Sequence, residues 1–267
     1  LYRRARDEDW TKEELLREAA RIPGIYVPSF YEPVYRPDGT LEEMRIREGS
    51  GAPELVRKRV VEDMNKSYFP VKTIIPSTEI VHDRVMLELF RGCIRGCRFC
   101  QAGYVYRPVR SRDPKQLAEY GKAACEDSGY QEMTLSSLSS TDYPCLLELC
   151  DDLLDYCAPR DIGLSLPSLR ADTFSMNLME RLQRVRKGGL TFAPEAGTQR
   201  LRDAINKNLR EEDLLQSCRT AFSGGWSGVK LYFMLGLPTE TDEDVLGIAD
   251  LARKVYFAWR ECTPNKA

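Results

Sequence analysis

The sequence predicts an α/β protein organised around a parallel sheet. Three observations carry that prediction. From residue 81 onward, five short segments rich in apolar residues alternate with stretches whose apolar residues recur at helical spacing. Helix caps and stops fall between them, so each strand is followed by a helix and the next strand runs parallel to the last. The chain also has 267 residues, 42% hydrophobic and 30% charged, enough to bury one large core with an appendage.

The elements follow in order. Thr11 and Glu14 form a capping-box pair that opens a short helix, and Pro23-Gly24 ends it. In EPVYRPDGTLEEMRI, Pro37-Asp38-Gly39 separates two alternating segments and predicts a hairpin. Residues 1–80 read as an N-terminal accessory region of helix, hairpin and linker, and residues 81–267 as the core. Arg84–Phe90 is the first core strand. Asp113 caps a helix with Pro114 at its first position, and Gly129 stops it. YQEMTLSSL (130–138) follows as a strand, YPCLLELCDDLLDYC (143–157) as a helix, IGLSLP (162–167) as a strand and MNLMERLQRV (176–185) as a helix. GGLTFAP (188–194) is the fourth strand, with helices over Thr198–Asn206 and Glu211–Ser223. GVKLYFML (228–235) is the fifth, and Thr241 with Asp244 caps a final helix reaching about Arg260. Sites in such sheets sit at the carboxyl ends of the strands.

Composition narrows the function classes. Lys and Arg number 39 against 41 Asp and Glu, a net charge of −2, which argues against a nucleic-acid partner held by bulk positive charge. No run approaches the ~18 apolar residues that span a bilayer, and Leu1–Trp10 lacks the apolar stretch of a secretion signal. Nine cysteines, odd in number and irregularly spaced, do not read as a disulfide framework and point to the reducing cytoplasm. The chain opens on Leu1 and stops soon after a helical run, so the expectation is a piece of a longer polypeptide whose further domains are its partners.

The chemistry concentrates just after the first strand. LELFRGCIRGCRFCQAG places Cys93-x3-Cys97-x2-Cys100 on one loop, where three thiolates can turn inward together. A structural zinc needs four ligands, and the single histidine, His82, precedes the strand and falls at its other end. Three cysteines on a [4Fe–4S] cube leave one iron open to a small molecule. Gly92 and Gly96 let the loop turn tightly.

That spacing, with Phe99 just before the last cysteine, resembles the signature of the radical S-adenosylmethionine (SAM) superfamily, and the resemblance runs from about Arg84 to the end. FRGCIRGCRFCQAGYVYRPVRSRDP is similar to radical SAM proteins with a B12-binding-type domain, and to the methylthiotransferase branch, where a basic element follows the cluster loop; here Arg110-Ser111-Arg112 holds that place. The resemblance implies a partial (β/α)6-type barrel, cut short after the fifth unit. It implies a [4Fe–4S] cluster on Cys93, Cys97 and Cys100, SAM on the open iron, and reductive cleavage to methionine and a 5′-deoxyadenosyl radical. Where related proteins carry Gly-Gly-Glu for the SAM amine, this chain has LSSLSST, with Ser137 and Ser139 as candidates for the methionyl end. TFAPEAGTQRL resembles the ribose-contacting element and makes Glu195 a candidate for the sugar hydroxyls. MLGLPTET resembles the segment along adenine, with Gly236 permitting close approach. Phe99 and Arg110 complete the candidate cofactor-binding set. An electron donor such as ferredoxin or flavodoxin is implied; cobalamin is not expected on this stretch.

Arg107 and Arg112 join Arg110 as possible anion binders, Arg170 lies at a strand end, and Lys230 sits within the fifth strand. Cys125, Cys145, Cys150, Cys157 and Cys218 fall at helical positions among leucines and read as core packing, not a second cluster. Two other functions stay open: a methylthio- or methyltransferase acting on RNA or protein, and a non-catalytic zinc or iron–sulfur module.

Overall fold

The computed structural model describes residues 1–182 and 189–263. Residues 183–185 of the expected fourth helix, and Gly188 of the expected fourth strand, lie outside them. Leu1–Glu62 is one compact unit. In it, α1 (Tyr2–Asp7) and α2 (Lys12–Ala20) precede an antiparallel hairpin of β1 (Tyr31–Tyr35) and β2 (Leu41–Ile46). The capping box forms: Glu14 N–H donates to Thr11 Oγ1 at 3.3 Å, and Thr11 N–H donates to Glu14 Oε2 at 2.7 Å. Ala20, Val27 and Phe30 make a small core of their own.

The second unit begins at Asp63. Residues 63–80, expected with the accessory region, belong to it by packing. The reason is Arg112, only 3% exposed, which donates to the carbonyl of Met64 at 2.6 Å and to Ser67 Oγ at 2.7 Å.

The unit then runs β3 (Val85–Glu88), β4 (Phe90–Arg91), α3 (Ala102–Val105), β5 (Arg110–Ser111), α4 (Pro114–Ser128), β6 (Glu132–Ser136), α5 (Leu146–Cys157), β7 (Gly163–Ser165), α6 (Met176–Leu182), β8 (Leu190–Glu195), α7 (Gln199–Ala204), α8 (Glu211–Ser223), β9 (Val229–Phe233) and α9 (Asp242–Cys262). The five expected strands are present in the expected order and pair in parallel, in two groups: β3–β6–β7 and β8–β9. Among the described residues no pairing joins β7 to β8.

Caps set the helix limits. Asp113 Oδ1 accepts the N–H groups of Lys115 and Gln116 at 3.0 and 3.1 Å, and α4 stops at Gly129. Thr241 N–H donates to Asp244 Oδ2 at 2.8 Å at the start of α9.

Each strand turns its apolar residues toward the helices. Leu87, Met133, Leu135, Leu164 and Phe192 are buried in one core with Leu117, Leu149, Leu153 and Leu154. The other face is polar and partly open, with Glu88, Thr134, Ser165, Thr191, Lys230 and Tyr232 along it. A cavity of about 440 Å³ lies there, lined in part by Thr134, Ser165, Thr191 and Tyr232. Lys230 shares that face, its ammonium 5.0 Å from the Tyr232 ring. Among the described residues, no helix is long and apolar enough to cross a membrane.

The helical cysteines pack as expected: Cys125, Cys150, Cys157 and Cys218 are 0–4% exposed, and Cys145 is half-buried. Burial pushes their thiols up, to about 11 for Cys125 and Cys157 and about 12 for Cys150 and Cys218. At pH 8 an alkylating reagent therefore reaches these four at least about a hundredfold more slowly than the half-buried Cys145 and Cys262. Native-state labelling read by mass spectrometry checks this, and equal rates would exclude the core assignment.

The start of α9 presses on the turn after β8. A Cβ on Gly197 would lie 2.3 Å from Ile248 N and 2.4 Å from the Asp244 carbonyl. Gly197→Ala is expected to cost about 2 kcal/mol or more, seen as a lower urea midpoint. An unchanged midpoint would show that helix and turn do not abut in this way.

Candidate functional site

The cysteine loop leaves the sheet at Gly92 and returns at Arg110. The sequence reading ran the first strand through to Phe90; instead the chain breaks at Leu89, and Phe90–Arg91 pairs antiparallel with Arg110–Ser111. This short ribbon closes the loop at its neck. Gly92 is required at its mouth, with φ at +106° and no room for a Cβ, which would sit 2.4 Å from the Tyr106 carbonyl. Inside, Arg107 donates to the carbonyls of Gly103 and Ile94. Its guanidinium is thus fastened to the loop.

Cys97 is 8% exposed, while Cys93 and Cys100 are half-buried. The Arg95 N–H donates to Cys93 Sγ at 3.4 Å, and Cys100 N–H to the Cys97 carbonyl at 3.0 Å. Burial pushes the Cys97 thiol up; Lys207 and Arg170 pull it back, and the charges of Cys100 and Cys93 add to the rise. Among the described residues, no three His, Cys, Asp or Glu side chains are arranged to hold a single metal ion.

A belt of charged side chains joins this loop to the carboxyl ends of the neighbouring strands. Arg95 pairs with Asp142, beyond β6, and lies 3.6 Å from Asp172, beyond β7. Arg170 grips the same Asp172 through two hydrogen bonds of 2.8 and 2.9 Å. Burial raises the Asp142 carboxyl, but Arg95, Ser139 and Arg170 together more than reverse this and leave it below the ordinary carboxylate range. Lys207, after α7, pairs with Glu195 at the end of β8 at 3.0 Å. Asn206 Nδ2 donates to the Gly96 carbonyl at 2.7 Å, and Arg98 N–H to the Ile205 carbonyl at 2.9 Å.

The residues singled out from sequence fall unevenly around this belt. Glu195 holds φ at +69°, a strained backbone for a side-chain-bearing residue that costs about 1–3 kcal/mol. Its carbonyl accepts the N–H of Met234 at 2.8 Å, which ties it to the segment of Gly236. Gly236 itself has φ at +77° and open space where a Cβ would point. Phe99 packs on Ala196, Leu201, Ile205 and Leu237, with the Lys207 ammonium 5.9 Å from its ring. Ser137 Oγ lies 3.1 Å from Ser140 Oγ, and Ser140 reaches the Pro167 carbonyl at 2.8 Å. Ser139 is buried beside Asp142, its hydroxyl short of hydrogen-bond geometry. Arg110 sits on β5 with its Nε 2.9 Å from the Pro108 carbonyl. Arg112 is a packing residue, buried under the segment of Met64 and Ser67.

Sequence reasoning passed over Arg95, Asp142, Asp172, Asn206 and Lys207. Arg95 lay in plain view within the cysteine motif. Asp142 and Asn206 carry no spacing signal, because their partners lie 47 and 110 residues away; Asp172 sits two residues from Arg170 and Lys207 twelve from Glu195, spacings that single out no function on their own.

Comparison with known proteins bears on this arrangement. The sequence profile described as Radical SAM superfamily matches residues 87–252, well over half the chain. An uncharacterised protein of Methanocaldococcus jannaschii is 41% identical over 170 residues, covering 64% of this chain and 37% of that protein. A tRNA-2-methylthio-N(6)-dimethylallyladenosine synthase of Pelotomaculum thermopropionicum is 27% identical, over 65% of this chain and 40% of its own length. The chain thus spans less than half the length of these relatives. Among solved structures, the radical SAM methyltransferase TsrM from Kitasatospora setae, with cobalamin and a [4Fe–4S] cluster bound, matches with a TM-score of 0.55 at 14% identity, covering 64% of this chain and 34% of that one. The cobalamin-dependent radical enzyme OxsB, in its apo form, matches 82% of this chain and 31% of its own with a TM-score of 0.51 at 15% identity. Those two likenesses concern the fold alone. With the profile running from the strand that carries the cysteine loop into the last helix, the chain belongs to the radical SAM superfamily.

Proposed function

We propose that this chain is the SAM-binding core of a radical SAM enzyme, with Cys93, Cys97 and Cys100 as ligands of a [4Fe–4S] cluster. The observation that carries the reading is the belt: one loop holding three soft donors, fastened to the strand ends that bear the candidate SAM-binding residues. The donor set fits the cluster. A backbone N–H already bonds to Cys93 Sγ, and Arg95, Arg170 and Lys207 supply cationic surroundings for anionic sulfur. Bound there, the cluster supplies the electron that splits the sulfonium of SAM.

The chain's own residues do the holding. Glu195 is the acceptor for the ribose hydroxyls, Gly236 leaves its backbone open to adenine, and the turn of Ser137 and Ser139 takes the methionyl end. Phe99 and Arg110 flank the loop. Lys207 fixes Glu195 and Ser140 meets Ser137 before any ligand arrives, so less ordering remains to be done there on binding. Reductant and further domains lie outside the chain: a ferredoxin or flavodoxin of the cytoplasm, and other parts of the same polypeptide. Anaerobic reconstitution with iron and sulfide, followed by dithionite and SAM, is expected to yield 5′-deoxyadenosine. Replacing any one of the three cysteines by Ala lowers bound iron severalfold and abolishes the product. A fully loaded wild-type protein that neither binds nor cleaves SAM would sink the reading.

A second reading is favoured by two relatives, the tRNA-2-methylthio-N(6)-dimethylallyladenosine synthase at 27% identity and a threonylcarbamoyladenosine tRNA methylthiotransferase of Bacillus subtilis at 21%: transfer of a methylthio group to RNA. The net charge of −2 means that such RNA contact rests on local arginines. Binding of unmodified tRNA at low salt, weakening steeply between 50 and 200 mM salt, is the expected outcome for that reading. No binding at low salt removes it for this segment.

A further inference from the structure

Lys207 stands outside every motif read from the sequence, yet the fold shapes a loop around it. Asn206 and Asn208 on either side both hold left-handed backbone, with φ at 54° and 51°, a conformation that asparagine tolerates unusually well. Asn206 is bonded to Gly96 of the cysteine loop at 2.7 Å. The Arg170 guanidinium reaches the carbonyls of Lys207 and Asn208, each at 3.5 Å. The ammonium therefore emerges at a fixed place, its side chain 12% exposed, against Glu195, whose side chain is 15% exposed.

The Glu195 backbone is held by other means. Met234 N–H bonds its carbonyl, and the buried Arg202 donates to the Ala196 carbonyl at 2.8 Å. Lys207 is thus left to govern the carboxylate rather than the chain. Two charges so withdrawn from water are expensive to bring together, and breaking one partner leaves the other stranded. Such a pair at a strand end, beside a strained residue, is expected where a carboxylate must be aimed.

We infer that Lys207 is a positioning residue, which holds the Glu195 carboxylate where it accepts the ribose hydroxyls of SAM and ties it to the cysteine loop. The inference rests on the SAM-binding function proposed above. Its test is the dissociation constant for SAM, measured on anaerobically reconstituted protein with iron content determined alongside. Lys207→Met is expected to weaken SAM binding about tenfold or more, and Lys207→Arg, which keeps the charge, to stay within about threefold of wild type. Glu195→Gln weakens binding as well, and adding Lys207→Met to it costs less than about twofold further, because both act through one contact. The double variant leaves no charge unpaired, so the comparison survives if Lys207→Met alone fails to fold. Unaltered SAM affinity in Lys207→Met, an additive double variant, or Lys207→Arg as weak as Lys207→Met overturns the inference alone. A wild-type protein that takes up its cluster and binds no SAM overturns the function beneath it as well.

Discussion

The structure depends on the closure of one loop. Three thiols placed along a stretch of eight residues are of use to a cluster only if that stretch cannot drift, and a flexible excursion of this length pays for its own ordering. The antiparallel pairing of Phe90–Arg91 with Arg110–Ser111 fastens the neck. Arg112 N–H continues it to the Leu89 carbonyl at 2.9 Å, and Leu89 N–H is bonded in turn to the Ser136 carbonyl of β6 at 3.0 Å. The loop is therefore hung from the parallel sheet by consecutive hydrogen bonds on both of its sides. Further out, Arg95 reaches Asp142 beyond β6 and Asp172 beyond β7, while the Arg98 N–H and the Gly96 carbonyl bond to Ile205 and Asn206 at the end of α7. What looks in sequence like a motif is in space a bridge.

The bridge is ionic, and its balance matters more than its strength. Arg95, Arg170 and Lys207 stand against Asp142, Asp172 and Glu195, all of them largely withdrawn from water. Buried pairs of this kind add little to stability by themselves, since desolvation offsets attraction. Their effect is geometric: each carboxylate is confined by a guanidinium or ammonium that has its own backbone anchors. Arg170 shows this well, gripping Asp172 through two oxygens while touching the carbonyls around Lys207. Charge is fixed in place before a ligand enters, which is the condition for a site that need not reorganise on binding.

Much of this was legible in sequence, and the limits are physical. The strand–helix alternation, and the caps at Thr11, Asp113 and Thr241, are local features with local causes, and each is where the pattern put it. Cys93, Cys97 and Cys100 were legible because their spacing is itself the signal. The two-residue strands β4 and β5 were not, since no periodicity exists over two residues. Arg112 read as an anion binder because a basic run looks alike whether it faces solvent or is buried; only Met64 and Ser67, some 45 residues upstream, reveal which. Asp142 was missed for the same reason, since its partner Arg95 lies 47 residues upstream. Arg170–Asp172 and Glu195–Lys207 are nearer in sequence, but no local pattern marks either as a pair.

The two faces of the strands divide the labour. Outward, Leu87, Met133, Leu135 and Phe192 are fully buried against helices and drive folding through their apolar area. Inward, Thr134, Ser165, Thr191 and Tyr232 offer hydroxyls and a ring to a cavity, with the Lys230 ammonium beside Tyr232 on the same face. A face like that contributes little to holding the fold together, so its residues can change without cost to the sheet. The face that folding leaves free is open to variation, while the loop that folding pins is not. That separation explains why the cysteine motif is readable in a single chain and the open face is not: the first is one short segment under tight geometric constraint, the second a surface assembled from single residues on five strands.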